Sequence, residues 1–274
     1  MTFFQKILIS LYTVVNASGL LQNRALQRLV TPAYFAYKKW YEDPFAKLIR
    51  RRPDVFQGGH ILDIGACIGY TSILYAKVIS SGFSVYAFEP DLPNFQWLQE
   101  TIRWYHAEEV VIPIQAAVGA TQGVIELWHN ERSFGDHRIN TQTFQKSGIN
   151  VQTIKMWDVD SFVNTKKIAT SIRLIKIDVQ GYELAVCQGM ESTLHANPDM
   201  IVAVEYSPDA IRELGFEPQE LLNFFREKGY ILYILHRQNG KLERATDAAI
   251  ENAVNQISYI DMVCSQKELL MIQI

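Results

Sequence analysis

Two rhythms of apolar and polar positions alternate along the chain from His60 onward. Short apolar runs at His60–Ala66, Ser84–Glu89, Val110–Val118, Gly123–His129, Val151–Val159, Arg173–Val179, Met200–Tyr206, Tyr230–His236 and Tyr259–Cys264 predict strands. Stretches with helical spacing lie between many of them. Tyr70–Ser80 is one, ended by Ser81-Gly82. Asp91 caps a second, which sets Phe95, Leu98, Ile102 and Tyr105 on one face with Trp97 and Trp104 packed beside them. Tyr182–Ala196 is a third, closed by Asn197-Pro198; Pro218 opens a fourth, which Gly229 ends. Strands alternating with helices predict an α/β fold built on a doubly wound, mostly parallel sheet. Ligands of such sheets bind beyond the carboxyl ends of the strands. Asp63, Glu89, Gln115–Ala117, Asp178 and Glu205 all fall at predicted strand ends, so they are expected to line one edge.

Residues 1–55 follow a different pattern, helical and rich in aromatics, punctuated by Pro32, Pro44 and Pro53. They are expected to form an N-terminal helical segment on the cap or substrate side of a domain spanning residues 56–274. The loop Asn130–Asn150 carries Gly135-Asp136-His137-Arg138. It is too polar for core and too long for a hairpin turn, which makes it a candidate functional loop.

The chemistry concentrates in HILDIGACIGYTSILYAKVISSGFSVYAFEP, from His60 to Pro90. It reads as strand, glycine turn, helix, strand, acid. An acid about 20 residues past the turn, here Glu89, accepts hydrogen bonds from ribose hydroxyls in nucleotide-binding units of this kind. The glycines do not make the Gly-x-Gly-x-x-Gly cradle of a pyrophosphate, because Cys67 takes the middle position. Asp63 at the strand end would repel phosphate and suits a cationic amino-acid group. S-adenosylmethionine, an adenosine with an ammonium and a sulfonium but no phosphate, fits this turn. Three alternatives stand beside it: a turn in which Gly65 and Gly69 only relieve packing, a nicotinamide-dependent oxidoreductase, and a non-catalytic cofactor-binding or scaffold relic of the same fold.

Composition narrows the classes further. The chain has 274 residues, 48% of them hydrophobic and 20% charged, with a formal net charge of -3. That is ordinary for a globular protein and gives no general attraction to nucleic acid. Lys38-Lys39 and Arg50-Arg51-Arg52 read as solvated faces. Cys67, Cys187 and Cys264 lack metal-type spacing and make no disulfide framework, as expected of reduced thiols in a cytoplasmic protein. Met1–Val15 is apolar but interrupted by Gln5, Lys6 and Ser10, too short to span a bilayer and unlike a signal peptide. It reads as an amphipathic helix that covers the core or makes peripheral contact with a membrane surface. No compact metal motif occurs, although Asp178 and Glu205 offer two carboxylates for a shared divalent ion.

Five ordered segments, ILDIGACIGYTS, VYAFEPDLPNF, AAVG, LIKIDVQGYE and VEYSP, resemble the FkbM family of S-adenosylmethionine-dependent methyltransferases from about Gly59 to Glu205. The resemblance implies a Rossmann-like class I methyltransferase sheet of seven strands with an antiparallel last strand. It also implies methyl transfer, usually to a hydroxyl oxygen of a sugar, glycan or secondary metabolite. By this resemblance Asp63, Gly65, Ala66, Cys67, Gly69 and Tyr70 form the first cofactor loop. Glu89, followed by Pro90, binds the ribose; Gln115, Ala116 and Ala117 flank the adenine; and Asp178 stands by the reaction centre. Two departures are expected to matter. Cys67 occupies a position where Asn is usual, and Gln180, which cannot act as a base, one where Glu is usual.

Methyl transfer is an in-line displacement at carbon, so the main requirement is positioning of the acceptor. A hydroxyl acceptor also requires a base within hydrogen-bond reach. Asp178, His137 and Glu205 are the candidates, with His137 set between Asp136 and Arg138 where a carboxylate can orient the imidazole. Nitrogen or carbon methylation would differ in the acceptor pocket, which is expected from residues 1–55 and the Asn130–Asn150 loop.

Overall fold

A computed structural model describes residues 23–129, 137–145 and 151–269. Twelve strands are defined among them: β1 (His60–Ile64), β2 (Val85–Phe88), β3 (Val111–Ile114), β4 (Ala117–Val118), β5 (Gly123–Trp128), β6 (Arg138–Ile139), β7 (Val151–Trp157), β8 (Ile172–Ile177), β9 (Ile201–Tyr206), β10 (Ile231–Leu235), β11 (Leu242–Arg244) and β12 (Ile260–Ser265). Eight make the main sheet, in the order β11-β10-β12-β9-β8-β1-β2-β3. β1 pairs in parallel with both β2 and β8, and β8 in parallel with β9. β12 is antiparallel to both neighbours, β9 and β10. Without the edge strand β11, this is the seven-stranded class I methyltransferase arrangement, its last strand reversed. Strand order changes direction at β1 and β8, the point where such sheets hold ligands.

Alternation along the strands divides the core between two faces. Leu62, Ile64, Phe88, Ile175 and Val202 pack with Phe162, Val163 and Phe225 on one side. Ile61, Val85, Ala87, Leu174 and Ile201 pack with Phe35, Leu48, Phe56, Tyr75 and Leu98 on the other. The N-terminal helices Arg24–Tyr37 and Phe45–Arg51 belong to this second face. Asn23 caps the first of them, accepting from the amides of Ala25 and Leu26. Trp97, on the Leu92–Trp104 helix, donates its indole N–H to Thr31 Oγ1 at 2.9 Å and so ties the N-terminal segment to the sheet.

Several elements differ from the sequence reading. The expected third strand breaks at Gln115, because Ala117–Val118 leaves the main sheet to pair with β7. With β5 and β6 these form a second, four-stranded sheet, order β4-β7-β5-β6. β7 stops at Trp157; Asp158 caps a helix from Val159, accepting from the Ser161 amide at 2.7 Å. The expected Tyr182–Ala196 helix is two, Glu183–Gln188 and Glu191–Ala196. They part at Gly189, where a Cβ would lie 2.2 Å from the Gly119 carbonyl oxygen of the second sheet's edge. Among the described residues no helix is long and apolar enough to cross a membrane. The expected Met1–Val15 helix lies outside the described residues.

Candidate active site

The first loop leaves β1 in a tight coil. Gly65, Cys67 and Gly69 all have positive φ, at 84°, 52° and 93°. A Cβ on Gly65 would lie 1.9 Å from the Asp178 carbonyl oxygen, and one on Gly69 2.7 Å from Leu98 Cδ1. The crowding at both glycines therefore comes from the protein itself, which presses the loop onto the end of β8. The amides of Gly65 and Ala66 both donate to the Phe88 carbonyl, at 3.1 and 2.9 Å, and fasten the loop to β2 as well. Cys67 holds a left-handed conformation that Asn tolerates better than most residues, a physical reason for Asn being usual there in the family that the loop resembles. Burial and the neighbouring Glu89 push the Cys67 thiol up, so it is not an activated nucleophile.

Asp63 is fully buried. Thr71 Oγ1 and Ser72 Oγ donate to its Oδ2 at 2.7 and 2.6 Å, and Lys176 Nζ stands 4.0 Å from its Oδ1. Through these bonds the carboxylate anchors the first turn of the Tyr70–Ala76 helix to the strand. Glu89 follows β2 directly. Its Oε2 accepts from the Cys67 amide and its Oε1 from the Asp91 amide, both at 2.9 Å. Burial raises its carboxyl to about 8, against the pull of those two amides. The Glu89 amide donates to the Ile114 carbonyl at 3.1 Å, which sets the acid beside the β3 end. There Gln115 is exposed while Ala116 and Ala117 are buried, and Pro90 is half-buried beside Glu89.

A cleft open to solvent lies over the carboxyl ends of β1, β8 and β9. Six expected site residues meet there: Gly65, Ala66, Cys67, Tyr70, Asp178 and Glu205. Lys176 Nζ donates to Asp178 Oδ2 at 3.0 Å. Gln180 Nε2 donates to Asp178 Oδ1 at 3.0 Å and reaches Glu205 Oε2 at 3.4 Å. Burial alone would raise Asp178, but Lys176 and Lys38 outweigh it and hold the carboxyl below its ordinary range. Burial pushes Glu205 well above its ordinary range, and the charges of Asp178 and Asp261 push it further. Two adjacent acids thus have opposite protonation tendencies, a pattern that marks functional carboxyl pairs.

Other cleft residues escaped the sequence reading. Tyr34, Lys38, Glu42 and Asp43 close it from the N-terminal side, and Arg237, Tyr259 and Asp261 from the other. Tyr34, Lys38 and Glu42 recur every four positions, a helical stripe that was legible as one face. Lys38 differs from its neighbour Lys39: its ammonium lies 5.7 Å above the Tyr34 ring and 5.8 Å above the Tyr70 ring, while Lys39 lies over the exposed Trp40. Burial works against the charge on Lys38, but Tyr34, Glu42 and Asp178 keep its ammonium above the usual range. Glu183 is a further addition. Its Oε1 accepts from the amides of Val179 and Gly181, both at 3.1 Å, and shapes the turn that follows Asp178.

His137 is not brought to Asp178 and Glu205. It lies just ahead of β6, which pairs with β5, and this hairpin carries it to the start of the Leu92–Trp104 helix. There its Nε2 is 3.6 Å from Asp91 Oδ2, and its ring stacks on His129. Asp136, its expected orienting partner, lies outside the described residues.

The cleft carries donors of both signs, and Asp178 is the carboxylate that the neighbouring ammonium groups keep ionised. Glu42, Asp43, Asp178, Glu205 and Asp261 bring five carboxyl groups against three cations, Lys38, Lys176 and Arg237. The family described as the methyltransferase FkbM domain matches residues 63–232, more than half of the chain. The hexuronic acid methyltransferase AglP of Haloferax volcanii is 28% identical over 148 residues, which span 54% of this chain and 56% of that protein. The chain thus spans about half the length of that relative. Among solved structures, an O-methyltransferase from Bacillus cereus in complex with SAH is 12% identical, at a TM-score of 0.47, over 93% of this chain and 98% of that one. The O-methyltransferase TomG from Streptomyces achromogenes, in complex with SAM, is 11% identical, at a TM-score of 0.46, over 81% and 78%.

Proposed function

Since this chain belongs to the FkbM family of methyltransferases, we propose that it moves a methyl group from S-adenosylmethionine to a hydroxyl oxygen of a sugar, glycan or secondary metabolite. The observation that carries the reading is the pairing of Glu89 at the β2 end with Asp178 and Glu205 at the β8 and β9 ends, on opposite sides of the first loop. Glu89 would take the ribose hydroxyls, with Pro90 and Gln115–Ala117 framing the base. Gly65, Ala66, Cys67 and Tyr70 would hold the methionine part. The bound cofactor supplies an electrophilic methyl on a good leaving group, so the protein's task is positioning, worth roughly 7–11 kcal/mol when alignment is good.

Asp178, kept ionised by Lys176 and Lys38, accepts a hydrogen bond from the acceptor hydroxyl and aligns its oxygen. Gln180 keeps Asp178 and Glu205 together without adding a third carboxylate. We assign the proton-accepting role to Asp178 and the orienting role to Glu205. A uronic acid is the favoured acceptor class. The relative named for hexuronic acids supports it, as do Lys38 and Arg237 in the cleft, which would pair with a sugar carboxylate.

The test has two arms. Calorimetry with S-adenosylhomocysteine should give one site per chain, and methyl release from labelled S-adenosylmethionine should appear with uronic-acid acceptors and be weaker with neutral hexoses. Asp178→Asn should abolish release while keeping cofactor affinity within about tenfold, about 1.4 kcal/mol. Binding without release on any hydroxyl acceptor would favour the non-catalytic alternative, and no binding would remove the cofactor assignment.

A further inference from the structure

A second set of donors gathers outside the cleft, at the far side of Glu89. Asp91 is fully buried at the start of the Leu92–Trp104 helix. His129 Nδ1 lies 2.7 Å from its Oδ1, and His137 Nε2 lies 3.6 Å from its Oδ2. The two imidazole rings are stacked, with centroids 4.5 Å apart and planes 18° from parallel. One donor atom from each of the three residues falls within 4.8 Å of the others.

We propose that Asp91, His129 and His137 form a binding site for one divalent transition-metal ion of the zinc class. Two imidazole nitrogens and one carboxylate oxygen make a borderline donor set that suits Zn²⁺ or Co²⁺ better than Mg²⁺ or Ca²⁺, which prefer oxygen alone. Metal–ligand bonds of about 2.0–2.1 Å in a tetrahedron place donors roughly 3.3 Å apart, so binding turns the two stacked rings until both nitrogens aim at one point beside Asp91. Asp91 is held in place by its neighbours: the Asn94 amide donates to Oδ2 at 3.1 Å, and its own amide donates to Glu89. Outer contacts of this kind orient metal ligands.

The three residues are far apart in sequence, so no compact motif announces them; the β5–β6 hairpin brings the histidines to Asp91. His129 directly follows β5 and His137 directly precedes β6. An ion here clips the second sheet to the helix that starts beside the ribose-binding acid.

The test uses the full chain after treatment with a strong chelator. Titration with Co²⁺, read by visible absorption, should give one tetrahedral nitrogen/oxygen site per chain, displaced by Zn²⁺. Proton NMR of the Co²⁺ form should show two shifted, exchangeable imidazole N–H signals. His129→Gln and His137→Gln should each weaken Co²⁺ binding roughly 100-fold or more, beyond the 10–100-fold of an outer-contact loss. His236→Gln, an exposed histidine elsewhere, should bind as the wild type. Absence of Co²⁺ binding in the wild type, a spectrum with no imidazole signals, or unchanged affinity in both histidine variants would overturn the site. The NMR result decides the matter even where a variant fails to fold.

Discussion

The ammonium of Lys176 and the carboxylate of Asp178 meet at 3.0 Å because the two residues sit two apart at the end of β8 and project to the same side. Lys176 is nearly buried and also stands 4.0 Å from the buried Asp63, so one cation serves two acids. Burial works against its charge, yet Asp178 and Asp63 hold it above its ordinary range. Lys176→Met removes the cation and leaves the buried Asp63 and the half-buried Asp178 without it. Loss of one partner of a buried pair costs about 3–5 kcal/mol. Urea unfolding should show a loss near the lower figure, since Thr71 and Ser72 still serve Asp63. Adding Asp178→Asn should restore part of it, and strict additivity in that double-mutant cycle would mean that the pair is not coupled.

Glu89 gives a pH dependence with a defined sign. Its folded value of about 8 lies above an ordinary carboxyl near ~4.3, so the folded chain retains a proton that the unfolded chain has lost. Its contribution to stability is greatest below the unfolded value and declines as pH rises toward 8. In the proposed role of Glu89, ribose hydroxyls would donate to the ionised form, and binding would release this proton. Affinity for S-adenosylhomocysteine should therefore fall up to about tenfold for each pH unit below 8. Calorimetry from about pH 6 to pH 8 should show that slope in the wild type and a flat line in Glu89→Gln. Equal slopes in both would assign the proton to another group.

Backbone conformation in the first loop separates two neighbouring positions. At Cys67 the positive φ disfavours a side chain, and Asn suffers less from it. Cys67→Asn should raise stability by up to ~1 kcal/mol, read as a higher urea midpoint at unchanged slope. Gly65→Ala meets both the conformation and the Asp178 carbonyl oxygen, 1.9 Å from the new Cβ. It should cost about 3 kcal/mol or more and weaken cofactor binding through displacement of Asp178.

The indole of Trp97 makes a buried polar link between the Leu92–Trp104 helix and the N-terminal segment, beside the Arg24–Glu100 ion pair at 3.2 Å. Trp97→Phe removes the hydrogen bond to Thr31, which is wholly buried, and leaves that hydroxyl only its bond to the Gln27 carbonyl. A loss of about 1–2 kcal/mol is expected, read by urea unfolding. Hydrogen exchange should speed up in the Arg24–Tyr37 helix ahead of the sheet, and uniform change across the chain would contradict the local link.

The main sheet and the first loop were legible because their signals are local. Asp63, Gly65, Gly69 and Glu89 lie within one strand–turn–helix–strand unit, where spacing and strand ends coincide. The second sheet was not, because β5 and β7 have the same apolar rhythm whichever sheet they join, and only pairing separates them. The adjacent Lys38 and Lys39 suggest one solvated face in sequence, although the four-residue step from Tyr34 to Glu42 marks Lys38 as part of another side. His137 was placed by its local neighbours, whereas the partner of β6 decides its surroundings. Gln180 cannot serve as a base, yet its left-handed backbone and amide group make it a bridge between two acids.

The cleft has a floor and a roof from unrelated parts of the chain. The floor comes from strand ends whose placement is tied to the whole sheet, and it is costly to alter. The roof comes from Tyr34, Lys38, Glu42 and Asp43, at the end of the Arg24–Tyr37 helix and in the turns that follow it. Exchanging those turns between homologous chains should therefore swap which acceptors are admitted without rebuilding the machinery beneath.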